Sequence, residues 1–276
     1  MEIDTHSRQQ VARALTIAGS DSGGGAGIQA DLKTFQELGV YGMSAITAVT
    51  AQNTLGVQAV YPLSPDAVIQ QIHAVGDDIG VDAVKTGMLF SSEIILAVAE
   101  AIRHFGWTKV VVDPVMVAKG GAVLLQEEAI RALTGKLLPL TAVVTPNIPE
   151  AEQLTGSSIR GKADKEEAAR RLAGFGARYV IIKGGHDAGA EAVDLLFDGR
   201  YFTELAGKRI ATGHTHGTGC TFSAALAAGL ARGLEVESAM REAKAFIQAA
   251  IEDGIKIGGG RGPTNHWAFQ RSRLPR

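Results

Sequence analysis

The chain has 276 residues, of which 46% are hydrophobic and 20% charged, and its net charge is −2. This composition provides an aliphatic core for one large α/β domain or two small ones, and it excludes the strongly basic surface typical of nucleic-acid or membrane binding. The single cysteine excludes an intrachain disulfide and a cysteine-based zinc cluster. We therefore expect a protein of the reducing cytoplasm.

The N-terminal residues 1–13 are polar and lack the apolar segment of a signal peptide, so we interpret them as a lead-in. No run of about 18 apolar residues predicts a membrane-spanning helix. No linker, charge block or repeat divides residues 14–276, which we predict to form a single domain. A soluble protein is the expectation that follows.

The predicted elements begin with a strand over residues 14–18, a glycine-rich loop over 19–27 and a helix from about 28 to 38. β-branched segments at 42–52 and 57–61 predict two more strands. Alternating apolar and helical patterns then predict strands at 83–86, 109–114, 141–145 and 179–183 and helices at 65–78, 92–104, 126–138, 148–154 and 164–175. The chain closes with strands at 192–197 and 201–205 around the two-residue hairpin signal Asp198-Gly199, helices after Gly219 and over 236–253, and a basic tail from 261, predicted as loop or packed extension.

Continuous apolar strands that alternate with helices predict a mainly parallel sheet covered on both faces. Polar residues follow several of these strands directly, namely Asp21, Asp113, Asn147 and Lys183. Open α/β sheets bind ligands at the carboxyl edge of their strands. We therefore expect these side chains to gather around a ligand site.

Two segments resemble nucleotide-binding motifs but lack residues that these motifs require. The loop GSDSGGGAG lacks the G-x-G-x-x-G spacing, and the second strand region ends in Ala51-Gln52-Asn53 without the acidic residue of a dinucleotide site. Residues 156–163 resemble a phosphate-binding P-loop up to the lysine. They place Ala163 where a magnesium-binding hydroxyl belongs, and they follow a helix instead of a strand.

A better phosphate site is the turn Gly217-Thr218-Gly219, which leads into an alanine-rich helix. The first turn of a helix has backbone N–H groups without partners and a partial positive charge, and both favour an anion. Cys220, the only cysteine, lies where the turn becomes the helix. The local sequence leaves open whether this thiol is reactive or a small buried apolar residue. His214 and His216, which precede the turn, lack further ligand spacing and are assigned to loop roles.

Three more segments carry candidate chemistry, each beside a structural alternative. Asn147 and Glu150 are spaced either as a helix cap or as oxygen groups around magnesium. Asp113 supplies a second carboxylate or orders the following proline turn. Lys183, at the end of an apolar strand, needs either a phosphate or an acidic side chain as its partner. Together with the Gly217–Gly219 turn, these groups favour phosphoryl transfer.

The motifs AGSDSGGGAGIQADLKTF, AVTAQNT, KTGM, VVDPVM, TPNIPEAE, IIKGGH and HGTGCTFSAALAAGL occur in this order. On them the chain resembles the hydroxymethylpyrimidine/phosphomethylpyrimidine kinases over roughly residues 14–255. The resemblance implies a ribokinase-like α/β fold, a three-layer αβα sandwich with a mainly parallel central sheet, and a homodimer. It also implies ATP-dependent phosphorylation of 4-amino-5-hydroxymethyl-2-methylpyrimidine and then of its monophosphate, for thiamine biosynthesis.

The resemblance also assigns roles to residues. It makes Cys220 the catalytic base, at a helix N-terminus expected to lower its pKa toward neutrality. The other catalytic groups are Gly217, Thr218 and Gly219. The implied substrate-binding residues are Gln52, Asp31, Met88 and Gly19, although some relatives carry glutamate at the position of Gln52. The residues implied to bind ATP with Mg²⁺ are Lys183, Asp113, Asn147 and Glu150, of which Asp113 and Glu150 are the metal candidates.

The segment 113–119 is expected to fold over the reacting groups, with Lys119-Gly120-Gly121 as its hinge. Two rival functions remain at this point. A pyridoxine or pyridoxal kinase would act on a similar flat ring bearing a hydroxymethyl group, either alone or as a second activity. A non-catalytic pyrimidine- or nucleotide-binding protein is disfavoured by the presence of Cys220, Lys183 and Glu150.

Overall fold

The computed structural model describes residues 11–116, 126–186 and 189–271, and their strands form one sheet. The strands are β1 (Arg13–Asp21), β2 (Tyr41–Asn53), β3 (Gly56–Pro62), β4 (Ala83–Thr86), β5 (Val110–Val112), β6 (Val143–Val144), β7 (Tyr179–Ile182), β8 (Glu191–Phe197) and β9 (Phe202–Lys208). The helices are α1 (Gly27–Glu37), α2 (Pro65–Gly76), α3 (Ser92–Phe105), α4 (Glu127–Ala132), α5 (Ile148–Thr155), α6 (Lys162–Gly174), α7 (Thr218–Ala231), α8 (Val236–Glu252) and α9 (Ala268–Arg271). Among these described helices, none is long and apolar enough to cross a membrane.

The sheet has the order β3-β2-β1-β4-β5-β6-β7-β8-β9. The strands from β2 through β1, β4, β5 and β6 to β7 pair in parallel, whereas β3, β8 and β9 run antiparallel to their neighbours. Because β2 lies on one side of β1 and β4 on the other, the winding of the chain reverses at β1. Ligands bind at such a reversal in open α/β sheets. The predicted mainly parallel sheet is confirmed.

Helices cover both faces of the sheet and complete three layers. On one face α2 to α6 enclose an aliphatic core that includes Ile72, Ile95 and Leu172. On the other face α1, α7, α8 and α9 pack around Phe35 and Phe246. The chain of α7 is buried from Thr221 through Ala231, because it lies between the sheet and α8. Its many alanines fit this position, since small side chains allow close approach on every side.

The structure divides the helix predicted over residues 126–138. The α-helix α4 ends at Ala132, a π turn spans Leu133–Leu137 and a 3₁₀ turn spans Leu138–Leu140. Pro139 lies in the 3₁₀ turn, and its missing N–H prevents a regular helix from continuing there. Strand β6 is also shorter than the predicted segment 141–145, because only Val143 and Val144 pair with both β5 and β7.

The hairpin around Asp198 forms, but its loop is longer than predicted. Four residues separate β8 from β9, and the Asp198 carboxylate accepts hydrogen bonds from the backbone N–H groups of Arg200 and Tyr201. An aspartate that bonds the backbone two residues onward stabilises this wider turn. The described part of the C-terminal tail, up to Arg271, packs as an extension, since Asn265 is buried and Phe269 contacts the Phe246 ring.

We predict that Gly229→Ala destabilises the protein by about 1–3 kcal/mol, because overpacking strains a filled core. A Cβ at Gly229 would lie 2.8 Å from Cβ of Ala239, where α7 crosses α8. Gly174→Ala in α6 is the matched control, since its Cβ would have no neighbour within 4 Å among the residues that the structure describes. The control is expected to be neutral or to stabilise by up to about 1 kcal/mol. Urea unfolding measures both variants, and equal midpoints would contradict the proposed close contact.

Candidate active site

The first glycine loop folds around the carboxylate of Asp21 at the end of β1. Asp21 accepts backbone N–H groups from Gly23 at 2.8 Å, Gly25 at 3.1 Å and Ala26 at 2.9 Å. Nε2 of His216 lies 2.8 Å from the same carboxylate. Burial opposes ionisation here, but His216 and the backbone amides hold the pKa of Asp21 below its ordinary value. Asp21 therefore shapes the loop, and its oxygens are already occupied by protein donors.

The second glycine turn packs directly on the first. Gly217 has φ +82°, and a Cβ at this residue would lie 1.8 Å from the carbonyl oxygen of Gly25. Only glycine fits such a backbone contact and such a φ without strain. Gly217 is also the N-cap of α7 and offers the first-turn amides no side-chain acceptor. The contact therefore places an uncapped helix N-terminus beside the end of β1, the arrangement that binds anions in many proteins.

Lys183 and Asp113 meet at the same edge of the sheet. Lys183 Nζ lies 2.7 Å from Oδ1 of Asp113, and Ser223 of α7 lies 3.3 Å from Oδ2. A Cβ at Gly219 would be 3.4 Å from Lys183 Nζ. The structure thus brings the predicted cation, one predicted carboxylate and the start of α7 together. It also shows the structural alternative for Lys183, because its partner is an acidic side chain.

Asn147 and Glu150 form the helix cap that their spacing suggested. The Asn147 side chain accepts the Glu150 N–H at 2.9 Å, and Glu150 accepts the Asn147 N–H at 2.8 Å. Burial raises the pKa of Glu150 to about 7, with the Lys183 ammonium opposing this shift and the Asp113 carboxylate adding to it. Two carboxylates that repel each other in a buried place fit a site where a cation binds.

Three of the predicted substrate residues flank the first glycine loop. Gly19 touches Met88 so closely that a Cβ there would lie 2.4 Å from the Met88 methyl carbon. The side chain of Gln52 accepts a hydrogen bond from Thr50 at 3.1 Å and has Nε2 3.3 Å from Nε2 of His216. Since His216 Nε2 donates to the carboxylate of Asp21, it cannot also accept from the amide of Gln52. Among the described residues, these amide donors therefore have no acceptor and are available to a ligand.

Asp31 is the predicted substrate residue that the structure corrects. Its side chain is fully buried, with Lys85 Nζ at 3.0 and 2.8 Å from its two oxygens and Thr16 Oγ1 at 2.6 Å. Direct contact with a ligand is therefore excluded in this conformation. Lys85 was not among the residues predicted from the sequence. A lysine inside the buried strand AVKT was the available signal, since such a charge requires an internal partner.

Cys220 lies in the first turn of α7 and is half-buried. Burial raises the pKa of the thiol to about 11, and the positive charge of Lys85 opposes this shift. The backbone N–H of Gly27 also favours the thiolate. The expectation of a pKa lowered toward neutrality is therefore wrong for this structure, because burial outweighs the favourable charge of Lys85 and the N–H of Gly27.

A cavity of about 350 Å³ opens between the two glycine segments, the β2–β3 turn and the residues before α9. His216 belongs both to its wall and to the group around Asp21. The cavity is lined by Gly23, Gly25, Asn53, Thr54, Leu55, His216, Ile257, Gly258, Gly259 and Pro263. The predicted hinge Lys119–Gly121 lies outside the described residues.

Similarity to known proteins identifies the family of this chain. Residues 21–265 match the model of a family described as phosphomethylpyrimidine kinase. The chain belongs to this family. A hydroxymethylpyrimidine/phosphomethylpyrimidine kinase of Bacillus subtilis is 55% identical over 265 residues, which cover 96% of this chain and 98% of the relative.

The chain also resembles proteins that are named pyridoxine or pyridoxal kinases. A pyridoxine kinase of Bacillus subtilis is 48% identical over 262 residues, or 94% of this chain and 97% of the relative. A solved structure of the pyridoxal kinase from Staphylococcus aureus with AMP-PCP and pyridoxal has a TM-score of 0.88 at 41% identity and covers 95% of both chains. This likeness confirms the predicted ribokinase-like fold.

We predict that iodoacetamide alkylates Cys220 at a rate that rises about tenfold per pH unit between pH 7 and 9, because only the thiolate reacts. With a thiol pKa of about 11, the rate should not level off below pH 10. The chain has one cysteine, so the label reports a single group, and Cys220→Ser is the blank. A plateau below pH 9 would contradict the raised pKa.

Proposed function

We propose that the protein is an ATP-dependent kinase for 4-amino-5-hydroxymethyl-2-methylpyrimidine and then for its monophosphate, which it converts to the diphosphate for thiamine biosynthesis. The observation that carries the proposal is the uncapped N-terminus of α7 beside Lys183 and Asp113. Membership of the phosphomethylpyrimidine kinase family and the 55% identical relative support the same reaction.

Phosphoryl transfer requires mainly positioning and neutralisation of charge. The first-turn amides of α7, among them that of Gly219, supply hydrogen-bond donors to the transferring group. The N–H of Thr218 donates to the carbonyl of Thr215 at 3.4 Å in this structure, and we assign Thr218 to the same turn. Lys183 adds a positive charge next to them. We assign Cys220, in the same turn, as the base for the proton of the substrate hydroxyl. This role requires the thiolate, which is the minor form in the ligand-free protein because burial raises the pKa of the thiol to about 11. Gln52 directs its amide donors at the ring, and we place Gly19 and Met88, which contact each other, beside the same flat heterocycle.

Mg²⁺ is the metal that this reaction employs with ATP, and the residues present fit it. Asp113 and Glu150 are buried carboxylates whose charges act on one another, and oxygen ligands are those that Mg²⁺ prefers. Both carboxylates also have protein donors, so we assign them to orient the water around the ion. When bound, the ion neutralises the phosphate oxygens of ATP.

A pyridoxine kinase activity, alone or beside the first, is the second candidate. It is favoured by the 48% identical pyridoxine kinase and by the structural neighbour that binds pyridoxal with AMP-PCP. Both substrates present a hydroxymethyl group on a flat ring, so they share the reacting group and the shape of the ring. We also propose a homodimer in the cytoplasm, which light scattering of the purified protein and cell fractionation test.

The decisive experiment compares kcat/KM for the hydroxymethylpyrimidine and for pyridoxine on purified protein with ATP and Mg²⁺. We expect the pyrimidine to be preferred by at least about tenfold, a difference of about 1.4 kcal/mol in transition-state binding. Only the pyrimidine series, supplied as its monophosphate, should give a second phosphorylation. Absence of ADP release with every hydroxymethyl heterocycle would overturn the kinase function and leave a binding protein.

We predict opposite kinetic signatures for the two sides of the site. Cys220→Ala should lower kcat by about 10²–10⁴-fold while pyrimidine binding persists, because the variant lacks only the base. Gln52→Ala should raise KM for the pyrimidine and leave KM for ATP nearly unchanged, because the ring loses its amide donors. Steady-state kinetics and calorimetry measure both. Wild-type turnover in Cys220→Ala would show that Cys220 is a packing residue and not the base.

A further inference from the structure

Two histidines and one aspartate from neighbouring helices come together at the edge of the sheet opposite the candidate active site. His73 lies in the last turn of α2, Asp77 directly follows that helix, and His104 lies in the last turn of α3. Each offers one ligand atom, a ring nitrogen or a carboxylate oxygen, and these three atoms all lie within 4.8 Å of one another. Because α2 leads into β4 and α3 leads into β5, these helix ends lie at the amino ends of the strands.

The close approach of the two helix ends depends on a glycine. A Cβ at Gly76, the last residue of α2, would lie 2.5 Å from the ring of Phe105, the last residue of α3. Without a side chain at position 76, the Phe105 ring reaches both imidazoles, with its centroid 5.1 Å from that of His73 and 4.8 Å from that of His104. The two imidazole centroids are themselves 5.1 Å apart.

The turn after α3 holds the Phe105 ring in place. Gly106 has φ +65°, the left-handed conformation that commonly ends a helix, and the chain reverses there. Trp107 then stacks on Phe105, with ring centroids 4.6 Å apart and planes inclined by 11°. The Phe105 ring is thus packed on one side by Trp107 and contacts the two histidines, which limits how far they can separate.

An ordinary ion pair explains only part of this arrangement. Nδ1 of His73 lies 3.3 Å from Oδ2 of Asp77, the spacing of an i,i+4 pair on one helix. It does not account for His104, which comes from the other helix. The carboxyl end of a helix carries a partial negative charge, so a carboxylate is unfavourable there and a cation is favourable. Asp77 and the ends of α2 and α3 together make this a place for positive charge.

The three ligand types are those that Zn²⁺ takes in proteins. Zinc binds imidazole nitrogen and carboxylate oxygen at about 2.0–2.2 Å in a tetrahedron, so its ligand atoms lie about 3.3 Å apart. The atoms of His73 and Asp77 already have this separation. The separations of up to 4.8 Å close by rotation of exposed side chains, since Asp77 is 62% exposed and His104 is exposed as well. Mg²⁺ prefers a set of oxygen ligands and does not suit two imidazoles.

We propose that His73, Asp77 and His104 form a surface site for a divalent transition-metal ion of the zinc type. One ring nitrogen from each histidine and one carboxylate oxygen bind the ion, and water completes the tetrahedron. The ion joins the end of α2 to the end of α3 and stabilises the folded state, because the unfolded chain does not hold these three groups together. The inference does not depend on the proposed kinase function.

The test is calorimetric titration of Zn²⁺ into the Cys220→Ser protein in excess Mg²⁺. The substitution removes the only thiol, and Mg²⁺ competes at the oxygen groups of the candidate active site. His73→Gln and His104→Gln should each weaken one equivalent of zinc binding by about tenfold or more, since loss of even an outer partner of a metal ligand costs about 10–100-fold in affinity. Unchanged zinc affinity in both variants overturns the proposal.

The double variant His73→Gln/His104→Gln shows whether the two histidines bind the same ion. With a shared ion, the double variant loses the same single equivalent of zinc as each single variant. A loss of two equivalents means that the histidines bind separate ions, and it overturns the proposal. Circular dichroism establishes that the variants are folded.

Arg103→Gln is the matched control, because Arg103 is an exposed charged residue in the same turn as His104. Its zinc affinity should stay within about threefold of the parent, since one surface charge acts weakly. Zinc at about 100 times its Kd should raise the Tm of the parent and of this control by about 5 °C. The same rise in His104→Gln would place the stabilising ion elsewhere and overturn the proposal.

Discussion

The site depends on one backbone contact, the approach of Gly217 to the carbonyl of Gly25. No side chain fits between these residues, so the two glycine segments lie against each other along the end of β1. This contact fixes where α7 begins, and the start of α7 fixes the direction of its first-turn amides. Asp21 holds the first segment in shape through three backbone N–H groups, and His216 ties the second segment to the same carboxylate.

The rest of α7 is built to keep this start in place. A helix with larger side chains would stand farther from the sheet, and its first turn would no longer reach Lys183 and Asp113. Ser223 uses the same closeness, since it lies within 3.3 Å of the Asp113 carboxylate. The alanine-rich sequence is therefore a requirement of the site as well as of the core. The same small residues thus allow the core to pack closely and the first turn of α7 to reach the site.

Local pattern was sufficient to predict much of this arrangement. The period of the apolar segments gave the strands and their parallel pairing, because a strand buried on both faces cannot alternate with polar residues. The polar residue after a strand marks the carboxyl edge, which is why Asp113 and Lys183 were identified and do meet. The capping spacing of Asn147 and Glu150 is local too, and the cap forms.

Properties that depend on contacts between distant parts of the chain could not be predicted from the sequence. Asp31 and Lys85 are 54 positions apart, and nothing near either residue reveals that they neutralise each other inside the core. The thiol of Cys220 follows the same rule. Its helix terminus is visible in the sequence, whereas the burial that dominates its pKa comes from α1 and β4 packing over it. The π turn after Ala132 likewise reflects tertiary packing that helix propensity does not report.

The bond between Asp21 and His216 also bears on how the molecule folds. These residues are 195 positions apart, whereas β1 pairs with β2 and β4 through much shorter intervening segments. Contacts between remote residues form slowly, because the entropy of closing a long loop must be overcome before they add stability. The sheet can thus be assembled while the two glycine segments are still apart. We therefore expect competence to hold an anion to arise late in folding.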